Sequence, residues 1–144
     1  MSKPGSGGML IFILLSLSIV IGVVAFWRFT RSDRYLRRAF VAMQSRGHDL
    51  TAEQCIDEVL RWSGTCEAMK SLCDASIPRM MQACLVARDR KALCQELGQK
   101  VMATQFGFVE CKARQLNPQR KTTCALAYRE IAEYCLQLER TRLR

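Results

Sequence analysis

CIDEVLRWSGTCEAMKSLCDASIPRMMQAC, residues 55–84, is the stretch on which the fold turns. Cys55 and Cys66 are separated by ten residues, and so are Cys73 and Cys84. A step of eleven is close to three α-helical turns, a net rotation of about 20°, so both thiols of each pair share one helix face. The positions between them agree: Val59 and Trp62 in the first segment, and Ile77 and Met80 in the second, lie four and seven residues beyond the leading cysteine. Each segment therefore reads as a helix whose apolar stripe begins and ends in cysteine, the pattern two antiparallel helices need to pack and be stapled at both ends. Nested pairing, Cys55 with Cys84 and Cys66 with Cys73, is the simplest solution, and Thr51-Ala52-Glu53-Gln54 supplies a capping box to start it. The breakers fall elsewhere, however. Residues 67–72 are good helix formers, while Ser63-Gly64-Thr65 and Ser76-Ile77-Pro78 look like interruptions. Three shorter helices with Cys55 bonded to Cys73 and Cys66 to Cys84 would respect those breakers, and four cysteines permit three connectivities in any case, of which the nested one is favoured.

Towards the C-terminus, Cys124 and Cys135 repeat the ten-residue spacer, with Tyr128 and Ile131 between them on the same face. Asn117-Pro118 marks a turn, and Cys111 and Cys124 stand symmetrically about it, which makes them the expected inner pair. The outer pair is then Cys94 and Cys135. Cys94 lies seventeen residues before Cys111, an offset of about 100° on an unbroken helix, so a break is required near Gly98 or Phe106-Gly107. Phe106 and Phe108, which flank that glycine, are expected in the core. All eight cysteines fall within residues 47–144. A unit of that size buries only a modest core, and an even cysteine count confined to it points to four disulfides formed in an oxidising compartment.

Twin cysteine pairs on antiparallel helices, clearest over residues 55–84 and again over 94–135, resemble the coiled-coil-helix-coiled-coil-helix (CHCH) family, small proteins oxidised in the mitochondrial intermembrane space. The spacers here are ten residues where that family has nine or three, and the chain adds a transmembrane segment. The resemblance implies an intermembrane-space location and a scaffold or assembly role. A bacterial periplasmic helical domain could reach the same solution independently.

Upstream, residues 9–27 (MLIFILLSLSIVIGVVAFW) contain no charge, Asn, Gln or Pro and would span about 28 Å as a helix, enough to cross a bilayer once. Val23-Val24-Ala25 would suit a signal-peptide cleavage site, but the long apolar core and Trp27 at its end favour a retained anchor behind a short tail, residues 1–8. Ser18 and Gly22 form a small-xxx-small pair, with Ser16 nearby, and are the candidates for packing against a partner helix. Residues 28–46 gather Leu36, Ala39, Phe40 and Met43 on one side of a helix and Arg31, Arg34 and Arg38 on the other, an amphipathic pattern expected to lie along the membrane surface.

The formal charge of +9 is concentrated in this segment, where six arginines face one aspartate, whereas residues 47–144 carry fifteen Lys/Arg against twelve Asp/Glu. Such a distribution suits anionic lipid headgroups at Arg28, Arg31, Arg34, Arg37 and Arg38 better than a nucleic-acid groove. Positive-inside statistics would put these arginines in the bacterial cytoplasm, where thiols stay reduced, so the cysteines are given precedence in assigning orientation.

The chemistry-bearing motifs are few. No C-x₂₋₄-C spacing or Cys/His cluster supports zinc, and no C-x-x-C supports disulfide exchange. His48 is the only histidine, in a polar stretch (Arg46-Gly47-His48-Asp49) that reads as a loop. Gly5-Ser6-Gly7-Gly8 follows no strand and is no phosphate loop. Asn117 precedes proline and is no glycosylation site. Met80 and Met81 beside Cys84 read as core residues.

The expected architecture is all-α: one N-terminal transmembrane helix, an amphipathic juxtamembrane helix, then disulfide-stapled antiparallel hairpins. The expected role is a non-catalytic accessory or assembly subunit of a larger inner-membrane complex. Its partners would be other membrane subunits and lipids, with no nucleic acid, small-molecule substrate, cofactor or resident metal. The rival is a membrane-tethered copper or thiol-redox carrier, which would need free thiols.

Overall fold

A computed structural model describes residues 6–142; residues 1–5 of the expected tail, Lys3 included, lie outside them. Six α-helices follow in order: α1 (Ser6–Gly47), α2 (Ala52–Thr65), α3 (Lys70–Val86), α4 (Lys91–Leu97), α5 (Phe108–Ala113) and α6 (Pro118–Arg142). A 3-10 turn, Gly98–Met102, follows α4, and no strand occurs among the described residues.

α1 is a single helix of 42 residues, about 60 Å long. Its N-terminal half is long and apolar enough to cross a membrane, and the side chains of residues 8–29 are exposed. Its C-terminal half enters the domain. Leu36 and Met43 are 7% and 3% exposed, Ala39 and Phe40 are half-buried, and the helix packs against α3. The apolar stripe of residues 28–46 thus meets protein and is not laid on lipid, a correction with a simple cause. An unbroken helix whose upstream half crossed a bilayer would carry its next turns away from the surface, and α3 supplies the apolar face that the membrane was expected to provide.

α1 and α3 run parallel: Ser32 Oγ accepts a hydrogen bond from Met69 N–H at the start of α3 (3.1 Å), and Gly47 lies against Cys84 and Ala87 at its end. α2 runs back between these levels. It starts at the capping box, where Thr51 Oγ1 accepts from Gln54 N–H and Gln54 Oε1 from Thr51 N–H. It ends at Thr65, so the turn occupies residues 66–69, next to the Ser63-Gly64-Thr65 breaker. The other breaker does not interrupt, because Pro78 lies inside α3. Proline removes one backbone hydrogen bond and crowds one turn, while the helix around it is held at both ends by disulfides and along one side by buried Ile77, Met80, Met81 and Leu85.

α6 packs across both α2 and α3 and contributes Tyr128 and Ile131 to the core. Pro118 opens it at the position where a missing N–H is harmless, and Asn117 Oδ1 accepts from Arg120 N–H (2.9 Å). The break required between Cys94 and Cys111 occurs at both expected places. Gly98 (φ +48°) ends α4 and Gly107 (φ +78°) starts α5, and a side chain at Gly107 would collide with Tyr128. Phe106 packs edge-on against Tyr128, with ring centroids 5.8 Å apart, but Phe108 is 63% exposed and is not a core residue. Phe108 is the first residue of α5, in the turn that opens the helix, and is left uncovered there, while Cys111 one turn further on is buried.

Candidate functional site

The eight cysteines close four disulfides: Cys55–Cys84, Cys66–Cys73, Cys94–Cys135 and Cys111–Cys124, with Cα separations of 5.9, 6.1, 5.2 and 5.9 Å. Both halves are nested hairpins, and the connectivity left open over residues 55–84 is the nested one. No disulfide crosses from one half to the other. The halves are joined by the packing of α6 on α2 and α3 and by a polar group at the head of α2. There Arg114 pairs with Glu53 (2.6 Å) and Asp57, while Tyr128 OH donates to Glu53 (2.8 Å). Burial, reinforced by the adjacent Glu53 carboxylate, raises the Tyr128 phenol above its ordinary pKa, so it is a permanent donor.

A second polar centre was not legible in the sequence. Arg90 is 4% exposed, and its guanidinium has no carboxylate within ion-pair reach among the described residues. Nε donates to Leu85 O (3.1 Å), and Nη2 shares its hydrogens among the carbonyls of Gly47, Leu50 and Cys84 at 3.1–3.2 Å, with Cys55 Sγ at 3.4 Å. The carbonyls of Gly47, Cys84 and Leu85 terminate α1 and α3, where helix dipoles gather negative potential, so the cation replaces missing intrahelical donors there, while Leu50 O belongs to the turn before α2. Burial lowers its pKa, and neighbouring Arg88 adds to the effect. The nearest sequence signal was a basic residue just past a helix end, which is too common to single out.

The remaining predicted site residues sit on α1. Ser18 and Gly22 are exposed on one face, with open space beyond the Gly22 Cα, and none of the described residues packs on them. Arg28, Arg31, Arg34, Arg37 and Arg38 are all exposed, but they separate into two sets. Arg37 pairs with Asp33 (2.8 Å), and neither it nor Arg34, which shares a helix face with Arg31 and Arg38, lines the groove beside the head domain's turn. Arg28, Arg31 and Arg38 line a groove of about 310 Å³ between α1 and residues 67–69. His48 is exposed in the turn after α1, with Asp49 beside it.

A larger open cleft of about 640 Å³ lies between α4 and the end of α6, floored by Cys94–Cys135 and edged by Lys91, Glu139 and Arg142. No His/Cys/Asp/Glu cluster of metal-binding geometry occurs among the described residues, where every cysteine is in a disulfide. What the arrangement offers is surface: a bare apolar helix, a ring of guanidiniums at its exit, and a braced head. No protein-family model, curated protein or solved structure gives a significant match to the chain.

Proposed function

We infer that this protein is a non-catalytic accessory or assembly subunit of a larger inner-membrane complex, placed in the mitochondrial inner membrane with its stapled head in the intermembrane space. The observation that carries the proposal is the continuity of α1, which runs without a break from the apolar segment into the core of the head. A tether needs no such continuity, since a flexible linker would hold an independent domain at the membrane equally well. A rigid stem transmits the position of a helix packed in the bilayer to a surface outside it, as a subunit that organises its neighbours requires. Cross-linked hairpins serve the same end, because a surface already ordered loses less conformational freedom on binding. Four closed disulfides suit the oxidising intermembrane space and leave no thiol free for a soft metal, the requirement of the carrier alternative.

Purification of the native protein in a mild detergent tests this. The expected result is stoichiometric co-migration with other membrane subunits, no alkylatable thiol before reduction, and a head accessible to protease only once the outer membrane is opened. A monomer carrying bound copper or free thiols would overturn the assembly role. A head exposed to the bacterial periplasm would overturn the mitochondrial placement alone.

A further inference from the structure

We propose that the groove between α1 and the α2–α3 turn binds the phosphate-bearing headgroup of an anionic phospholipid as a discrete site, distinct from a diffuse basic belt. The proposal rests on residues 9–27 crossing the bilayer. Trp27, the last residue of that segment, forms the membrane end of the groove, and Arg28, Arg31, Tyr35 and Arg38 form one wall. The opposite wall is the turn, held in place by Ser32 Oγ accepting from Met69 N–H and by the Cys66–Cys73 staple behind it. The volume, about 310 Å³, is at the lower end of the range for small-ligand pockets and ample for a phosphate group.

Charge and depth both select the occupant. Arg28, Arg31 and Arg38 have no carboxylate partner among the described residues, and the one acid lining the groove, Glu67, leaves the set net positive. The Arg31 guanidinium lies 5.8 Å from the Trp27 ring centroid, which holds it near the interface. Arg31 follows Trp27 by one turn, about 6 Å, within the headgroup layer. Arg38 is about 16 Å up, but helix side chains lean towards the N-terminus, which here brings its guanidinium back down over the groove. Exposed guanidiniums without a carboxylate partner, Arg38 spending only its Nε on Arg34 O (3.4 Å), opposite a fixed wall at headgroup depth, suit a phosphodiester arriving from the membrane.

The full-length protein reconstituted in phosphatidylcholine nanodiscs provides the test. The chain has two tryptophans; Trp62 is buried in the head, so quenching by bromine in lipid acyl chains reports Trp27. Brominated phosphatidylglycerol should quench more strongly than brominated phosphatidylcholine at equal mole fraction. The double variant Arg31→Gln, Arg38→Gln should lose this preference on the order of tenfold, while Arg34→Gln, Arg37→Gln, which removes the same charge, should keep it. All four residues are exposed, and intact disulfides and unchanged circular dichroism would show that both variants fold. Equal loss in the two variants would overturn the site in favour of diffuse attraction. Abolition of the preference by inorganic phosphate at matched ionic strength would make it a free-anion site and overturn the lipid assignment. Binding of polyglutamate through Arg31 and Arg38 with no lipid preference would assign the groove to an acidic protein segment instead. Equal quenching by both lipids would leave the membrane segment standing without the site, whereas quenching by neither would remove both.

Discussion

Arg90 shows how much of this domain rests on single side chains. A guanidinium that collects carbonyls from Gly47, Leu50, Cys84 and Leu85 joins the end of the stem to the end of α3 and the loop before α2. Arg90→Met keeps the aliphatic volume and removes every donor, so thermal unfolding in detergent should show a loss of about 2–3 kcal/mol. Arg90→Lys should recover only part of it, because one ammonium cannot span the same carbonyls; full recovery would mean that charge alone matters. Gly47 is the matching small residue. A Cβ there would lie 2.6 Å from Cys84 O and 2.9 Å from Cys84 Cα, backbone atoms that cannot step aside. Gly47→Ala should therefore destabilise by about 1–3 kcal/mol through overpacking, and a neutral result would show that α1 and α3 can slide apart. Glu58 responds to acid. The hydrogen bond from Arg61 holds its carboxyl below the usual range against the opposing effect of burial, and Arg46, from the stem, adds to the lowering. The folded state then binds the Glu58 proton less tightly than the unfolded state. Its contribution is complete above the ordinary carboxylate range and is lost as pH falls below about 4. Glu58→Gln should lower the melting temperature at neutral pH and flatten its decline across that acid window; an unchanged decline would assign acid sensitivity to other carboxylates.

At the scale of elements, α1 changes the meaning of its own sequence pattern halfway along. Residues 9–26 are exposed, with no partner among the described residues, whereas Leu36 and Met43 are core residues, although both stretches belong to one helix. A helix needed only as a tether would tolerate any apolar replacement of equal length. Ser18→Leu with Gly22→Leu keeps the segment apolar and fills the groove that small residues leave, so the variant should remain membrane-bound yet co-purify less with its complex. Leu15→Ile, a volume-conserving change, should have little effect. Undiminished co-purification of the double variant would move association to the head or to the arginine-lined groove. Elsewhere element boundaries were legible wherever a single residue forces the backbone: the Thr51 box, Asn117-Pro118, Gly98 and Gly107. They were misleading where a weak breaker met strong packing, as at Pro78. Phe108 fails for another reason, since apolar character alone does not say whether a residue at the mouth of a short helix is covered.

For the molecule as a whole, two covalent loops sit side by side without a covalent link between them. Peptide mapping without reductant should recover Cys55–Cys84, Cys66–Cys73, Cys94–Cys135 and Cys111–Cys124. Any bridge between residues 55–84 and residues 94–135 would refute the two-hairpin organisation. Each long loop, closed across separations of 29 and 41 residues, restricts the unfolded chain by about 3–4 kcal/mol in the chain-entropy picture, a large share of the stability of so small a unit. Among the described residues the loops are joined by the packing of α6 and by the Glu53, Asp57, Arg114 and Tyr128 group.

The sequence by itself determined what depends on periodicity and composition: an all-helical head, three helix faces edged by cysteine, an apolar segment of bilayer length, and a basic stretch beyond it. Those features are local, because rotation per residue and transfer free energy need no knowledge of the rest of the chain. It favoured the nested disulfides of residues 55–84 but left the other connectivities open. The choice depended on whether α3 continues through Pro78, which only the packing of its buried face decided. Tertiary structure also decided where the stripe of Leu36 and Met43 goes. An amphipathic helix states that it has an apolar face without stating whether lipid or protein covers it, and here α3 does. The same holds for Arg90, for the link between Arg114 and Glu53, and for the division of the juxtamembrane arginines into those that line a groove and those that do not. Each depends on residues far apart in the chain being brought within a few ångströms, and no local pattern encodes that distance.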